Sequence, residues 1–122
     1  MPTGFTGSAH FKPSEFACRC CGKGAIKMNP KLIELLEAIR IKLDAPIQIL
    51  SGYRCESHNR ACGGKIKSQH LLGNAVDIKT TKMGPHDFYN WLEDNFVIPG
   101  HGKYNGFNHI DVRRSGHVRW EG

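Results

Sequence analysis

Two short segments, Ala75-Val76-Asp77-Ile78-Lys79 and Phe107 to Arg113, alternate between apolar and polar residues with the two-residue period of a β-strand. In the first, Val76 and Ile78 point one way while Ala75, Asp77 and Lys79 point the other. In the second, Ile110 and Val112 oppose His109, Asp111 and Arg113. Each strand therefore has an apolar back to bury and a polar front to present. If both fronts face one groove, Asp77 and His109 meet there. His70 precedes Asp77 by seven residues across a turn containing Gly73, so a small loop can fold its imidazole over the same groove.

The rest of the chain supplies a frame for such a sheet. Asn29-Pro30 opens a helix, because Asn accepts a free backbone N–H and Pro suits the first helical position. Leu32, Leu35, Leu36, Ile39 and Leu43 follow as one apolar stripe. Pro46 ends any continuation, and Ile47 to Leu50 reads as a buried strand. Ser51-Gly52-Tyr53-Arg54 turns into a short helix over Glu56–Ala61, stopped by Gly63-Gly64. Lys65 to Gly73 is polar and loop-like. Gly84-Pro85 starts a second amphipathic helix, with Phe88, Trp91 and Leu92 directed to the core. Pro99-Gly100 breaks the chain, and His117 to Trp120 adds a last edge strand. Residues 1–27 form an irregular lead-in with a helical turn near Ser14 to Phe16. Helices and strands mix without a βαβ rhythm. The expected class is α+β, a small, mainly antiparallel sheet flanked by helices, in one domain spanning residues 1–122.

Charge and cysteine content narrow the partners. The formal net charge of +6 favours anionic partners: nucleic acid, acidic membrane, or a cell-wall polymer rich in carboxylates and phosphates. The basic residues are dispersed, with no block of five, so no nucleic-acid arm is expected. No apolar run approaches the roughly 18 residues that cross a bilayer. The start, MPTGFTGSAHFKPSEF, lacks the basic and apolar stretches of a secretory signal. Five cysteines, Cys18, Cys20, Cys21, Cys55 and Cys62, are an odd number for a complete disulfide framework. They contain one C-x-x-C pair and no second C-x-x-C or H-x-x-x-H. Structural or incidental thiols are therefore expected ahead of a second metal site. A bridge from Cys55 to Cys62, or to the N-terminal cluster, stays open for an oxidising compartment.

Two neutral imidazoles and one carboxylate suit Zn²⁺ and leave a fourth position for water, the pattern of catalytic sites. Spacing alone does not select this set, because histidine and aspartate in loops are commonly solvated or capping residues. His10, His58, His86, His101 and His117 are expected to be exposed or hydrogen-bonded in turns. His101, just before the closing strand, is the one placed to line the groove.

A resemblance sharpens the choice. Ser68-Gln69-His70-Leu71-Leu72-Gly73-Asn74-Ala75-Val76-Asp77-Ile78 resembles the S-x-H-x-x-G-x-A-x-D signature of the D-alanyl-D-alanine carboxypeptidase family, peptidase M15. Its wider relatives include phage endolysins and the hedgehog signalling domain. Ser51-Gly52-Tyr53-Arg54 resembles the family's S-G-Y-R turn, and Tyr104 to Arg113 its closing zinc strand. The three blocks stand in the family's order, and the resemblance covers roughly Phe11 to Trp120. It implies a hedgehog/DD-peptidase-like fold and one catalytic Zn²⁺ on His70, Asp77 and His109. It implies Arg54 on the substrate carboxylate or the developing oxyanion. From their places in the chain, Tyr104 is expected to face substrate, and Ser68 to hydrogen-bond near the zinc loop at the substrate groove rather than act as a nucleophile. The implied activity is hydrolysis of peptidoglycan stem peptides, as a D,D-carboxypeptidase or endopeptidase. A monomer is expected, and the missing secretory signal leads to the expectation that it reaches the wall after lysis or non-classical release, as in phages. Many relatives carry Glu or Asp three residues before the last histidine as general base, where this chain has Gly106. Asp111 is the provisional base, with two alternatives: it orients a ligand, or it touches zinc itself. The Gly106 departure also keeps a non-catalytic zinc-containing binding module in view.

Overall fold

The structure, a computed structural model, describes residues 7–19, 21–22, 27–61, 68–114 and 116–122, excepting the His58 side chain. Helix α1 (Pro30–Leu43) begins where the sequence directs. The Asn29 side chain accepts from the Lys31 N–H at 2.9 Å, and Pro30 occupies the first turn. It buries Leu32, Ile33, Leu36, Ile39 and Leu43. Leu35 packs only partly against the core. Asp44 ends the helix in the left-handed region at φ 54, and Lys82 Nζ donates to the Leu43 carbonyl at 2.5 Å. Helix α2 (Glu56–Ala61) is short. Helix α3 (Pro85–Asn95) buries Phe88 and Leu92, with Trp91 half-buried beside them.

Five strands form one sheet: β1 (Gln48–Ser51), β2 (Ala75–Lys79), β3 (Gly100–Lys103), β4 (Asn108–Asp111) and β5 (Val118–Glu121), in the order β1-β2-β4-β3-β5. All neighbours run antiparallel except β3 and β5, which are parallel. The class is thus α+β with a mostly antiparallel sheet. Val76, Ile78 and Ile110 join α1 and α3 residues in one apolar cluster that also takes in Phe11 and Phe16 of the lead-in and Met28 just after it. Burial of these side chains, worth about 1.5–3 kcal/mol each, holds the sheet rigidly under the polar residues of its other face.

Three expectations are corrected. Ile47 to Leu50 is not a uniformly buried strand. Strand β1 starts one residue later, alternates, and bulges between Ile49 and Ser51 as it reaches the edge. The stretch around His70 is not a plain loop, since Gln69–Leu72 forms a 3₁₀ turn. Pro99-Gly100 does not end regular structure, because β3 starts at Gly100, filled in by β4 on one side and β5 on the other. The proposed helix stop at Gly63-Gly64 and the Cys62 partner of a bridge lie outside the described residues.

Candidate metal centre

His70 rides on the 3₁₀ turn, which is closed at both ends. Ser68 Oγ accepts from the His70 backbone N–H at 3.2 Å, and Gly73 caps the turn at φ 74. Gly73 is required twice over: the left-handed φ favours glycine, and a Cβ there would collide with the Lys27 carbonyl. The Gly73 carbonyl accepts from the Asn29 N–H at 2.8 Å, and Asn29 Nδ2 donates to Asn74 Oδ1 at 3.0 Å. The cap of α1 and the histidine turn are thus one assembly.

Asp77 and His109 are directly opposite on β2 and β4, the closest relationship two antiparallel strands offer. His70 Nε2 lies 3.3 Å and His109 Nδ1 3.1 Å from Asp77 Oδ1. The imidazoles meet edge to face with centroids 5.1 Å apart. One ligand atom from each residue lies within 4.8 Å of the other two, and all three residues are buried.

The outer partners of the rings settle their tautomers. His70 Nδ1 is 2.7 Å from the Gly52 carbonyl, which only accepts, so Nδ1 donates. His109 Nε2 is 2.8 Å from Asp111 Oδ2, and there too the ring nitrogen donates. With the outer nitrogens protonated and the rings neutral, as metal binding requires, each ring has one lone pair facing Asp77 Oδ1. Three electron-pair donors in that arrangement repel unless a proton or a metal cation sits among them. A tetrahedral ion with bonds of about 2.0–2.2 Å sets neighbouring ligand atoms about 3.3–3.6 Å apart, close to the two distances to Asp77 Oδ1. The donor set therefore fits a divalent metal. Burial opposes ionisation of Asp77, but hydrogen bonds from His109 and His70 outweigh it and hold the carboxyl well below the usual carboxylate range. Burial likewise opposes charge on His109. Its hydrogen bonds to Asp111 and Asp77 prevail and raise its affinity for protons, so a proton and a metal compete for Nδ1.

Asp111 stands behind His109, on the ring edge away from the convergence point. It has no exposed surface. Arg113 grips it through Nε to Oδ1 at 2.8 Å and Nη2 to Oδ2 at 2.7 Å. Arg54 takes the corresponding place behind Asp77: Nη2 donates to Asp77 Oδ2 at 3.1 Å, Nε to Ser51 Oγ and Nη1 to Asn59 Oδ1, both at 3.2 Å. This is a half-buried fork against a site carboxylate, not a surface ion pair. Ser68, through its cap, acts on the turn that carries His70. The Tyr104 ring stacks on Phe107 with centroids 4.7 Å apart, and its hydroxyl accepts from Trp120 Nε1 at 2.8 Å.

Trp120 is the residue that sequence reasoning missed. Its ring lies 5.0 Å from that of His109, with the Arg113 guanidinium 5.4 Å over it. Gly102 pairs with His109 on one side and Trp120 on the other, so only the strand order could reveal this neighbour. His101 does not line the groove. It pairs with Ile110, is wholly buried, stacks on Tyr89 at 4.1 Å and is 2.5 Å from Glu93 Oε2, so it belongs to the α3 side of the sheet.

A comparison with curated proteins finds none that matches. A comparison with protein families finds peptidase M15, matched over residues 9–111, a span that contains the whole triad, Arg54 and Asp111. The S-G-Y-R turn, the histidine turn and the β2–β4 pair that set the metal-ligand geometry all lie inside the matched span, and the chain belongs to the peptidase M15 family of metal-dependent peptidases.

Proposed function

We propose that this chain is a zinc peptidase that hydrolyses peptide bonds in peptidoglycan stem peptides, as a D,D-carboxypeptidase or endopeptidase. The observation that carries the reading is the convergence of His70 Nε2, Asp77 Oδ1 and His109 Nδ1, with both histidine tautomers set from behind. Two nitrogens and one oxygen suit zinc and leave a position open. Zinc there would supply Lewis-acid polarisation of a peptide carbonyl and activation of water. The chain's own residues do the rest. Arg54 fixes Asp77 and offers its remaining N–H groups to a substrate carboxylate or to charge developing on the carbonyl oxygen. Ser68 holds His70 in place, and Tyr104, braced by Trp120, forms a wall for substrate. The charge of +6 suits an anionic wall polymer.

Asp111 serves in this reading as the positioning partner of His109 rather than as the base, since Arg113 and His109 occupy both of its oxygens. Among the described residues, Asp77 and Asp111 are the carboxylates hydrogen-bonded to the triad, and Gly106 supplies none. That observation favours one second reading, a zinc-containing binding module without catalysis. Incubation of zinc-loaded protein with defined muropeptides, with fragments weighed by mass spectrometry, separates the two. The proposal expects released D-alanine or split cross-links, falling to background in His70→Ala together with the metal of the His70, Asp77 and His109 site. Intact muropeptides at full zinc occupancy would sink the peptidase and leave the module.

A further inference from the structure

Away from the triad, three thiols converge. Cys18 and Cys21 sit on the turn after a short 3₁₀ segment, Pro13–Glu15, and Cys55 follows the S-G-Y-R turn at the start of α2. Their sulfur atoms all lie within 4.8 Å of one another. The C-x-x-C pair thus finds its missing partner not in a second pair but in one cysteine brought over by β1. The turn has the form of a metal knuckle: the Gly22 N–H closes it onto the Cys18 carbonyl at 2.7 Å, and the Cys55 N–H points at Cys18 Sγ at 3.4 Å. A backbone donor on sulfur stabilises the thiolate, the form that binds metal. Cys18 is buried, Cys55 partly buried and Cys21 exposed, so the cluster opens to solvent on one side.

We infer that Cys18, Cys21 and Cys55 bind a second, structural metal ion of the thiophilic class, zinc in the first place. Three thiolates select soft or borderline cations and leave one tetrahedral position for a further donor. Zn–S bonds of about 2.3 Å set sulfur atoms about 3.8 Å apart, so the thiols need only a small inward adjustment. Each thiol gives up one proton on binding, and no oxidant is needed.

The ion has a mechanical consequence. The knuckle is already stitched to the turn before Cys55. The Tyr53 N–H donates to the Phe16 carbonyl at 2.8 Å, and Gly52 presses so closely on Phe16 that a Cβ would stand 2.7 Å from its Cα. Arg19 adds bonds to the Ile49 and Leu50 carbonyls at 2.9 and 3.2 Å. The same turn supplies the Gly52 carbonyl that orients His70 and the Arg54 that orients Asp77. Metal in the cysteine site clamps the lead-in onto the segment that shapes the groove.

The test uses the full chain, stripped of metal and reconstituted with zinc or cobalt under a non-thiol reductant. Metal analysis is expected to give two ions per wild-type chain and one in Cys21→Ser, Cys55→Ser or His70→Ala. The cobalt form is expected to show sulfur-to-cobalt charge-transfer absorption in the near ultraviolet, kept in His70→Ala and lost in Cys21→Ser. Cys21 is exposed, so this variant does not threaten the core, and the wild-type spectrum needs no variant at all. One ion per wild-type chain, lost in His70→Ala, with no charge-transfer band while the thiols are reduced, overturns the inference and leaves the peptidase reading untouched.

Discussion

At the scale of single residues, the decisive question is which side of His109 a carboxylate occupies. Asp111 is two residues on and shares its strand face, so sequence alone leaves base, ligand and positioning roles open. Ring orientation decides among them: Nδ1 turns to Asp77 and Nε2 to Asp111. Asp111→Asn keeps the shape and removes the charge that holds the Nε2 proton. Its metal dissociation constant is expected to rise about 10- to 100-fold, read by competition with a chromophoric chelator. A residue acting solely as base would lower turnover and leave that constant alone. Acid adds a second check. Burial opposes ionisation of Asp111, yet hydrogen bonds from Arg113 and His109 outweigh it, so its folded carboxyl titrates below the ordinary value of 3.8. A depressed folded value means stability that is present above the unfolded value and lost as pH falls below it. In metal-free protein, the stability gap between wild type and Asp111→Asn, from urea titrations, is expected to narrow as pH falls below about 5 and to keep narrowing through about pH 3.

At the scale of elements, legibility followed local chemistry. Helix α1 announced itself by an Asn-Pro start and an apolar stripe, and β2 and β4 by alternation, so the facing of Asp77 and His109 was legible too, whereas His70 joined them through the family resemblance. Strand β3 was not. Gly100-His101-Gly102-Lys103 has no β-branched residue and no pattern, and it is a strand because β4 and β5 pair with it from both sides. The same cause hid Trp120 and misplaced His101. The 3₁₀ turn under His70 was hidden because its reason is tertiary: Gly73 must clear the Lys27 carbonyl while its own carbonyl receives the Asn29 N–H. Gly73→Ala is therefore expected to cost at least about 1–3 kcal/mol in chemical denaturation and to weaken metal binding, because His70 rides on that turn. Gly106→Ala meets nothing within 4 Å and is expected to stay within about 0.5 kcal/mol of wild type. Equal losses at both glycines would show that the turn is not held as described.

At the scale of the whole molecule, the triad joins parts that the chain keeps distant: a turn anchored to the cap of α1, a central strand, and a strand beyond α3. An unfolded chain holds no such trio, so metal binds the folded state preferentially and stabilises it. The sheet is also ready for the ion, because Gly52, Arg54, Asp111 and Arg113 hold the ligands from behind. Binding then has little ordering left to do, and most of its free energy becomes stability. Zinc at about a hundred times its dissociation constant is expected to add about 2.7 kcal/mol, or on the order of 10 °C in melting temperature for a domain this size. The measurement belongs in a Cys21→Ser background, so that thiolate binding does not contribute. There, thermal melts with zinc and with a chelator should differ by that amount, and adding His70→Ala should erase the difference. A Cys21→Ser protein that melts at one temperature with or without zinc would mean that the folded triad holds no metal. The lone pairs facing Asp77 would then have to be satisfied by a proton on His109, in keeping with its raised affinity for protons.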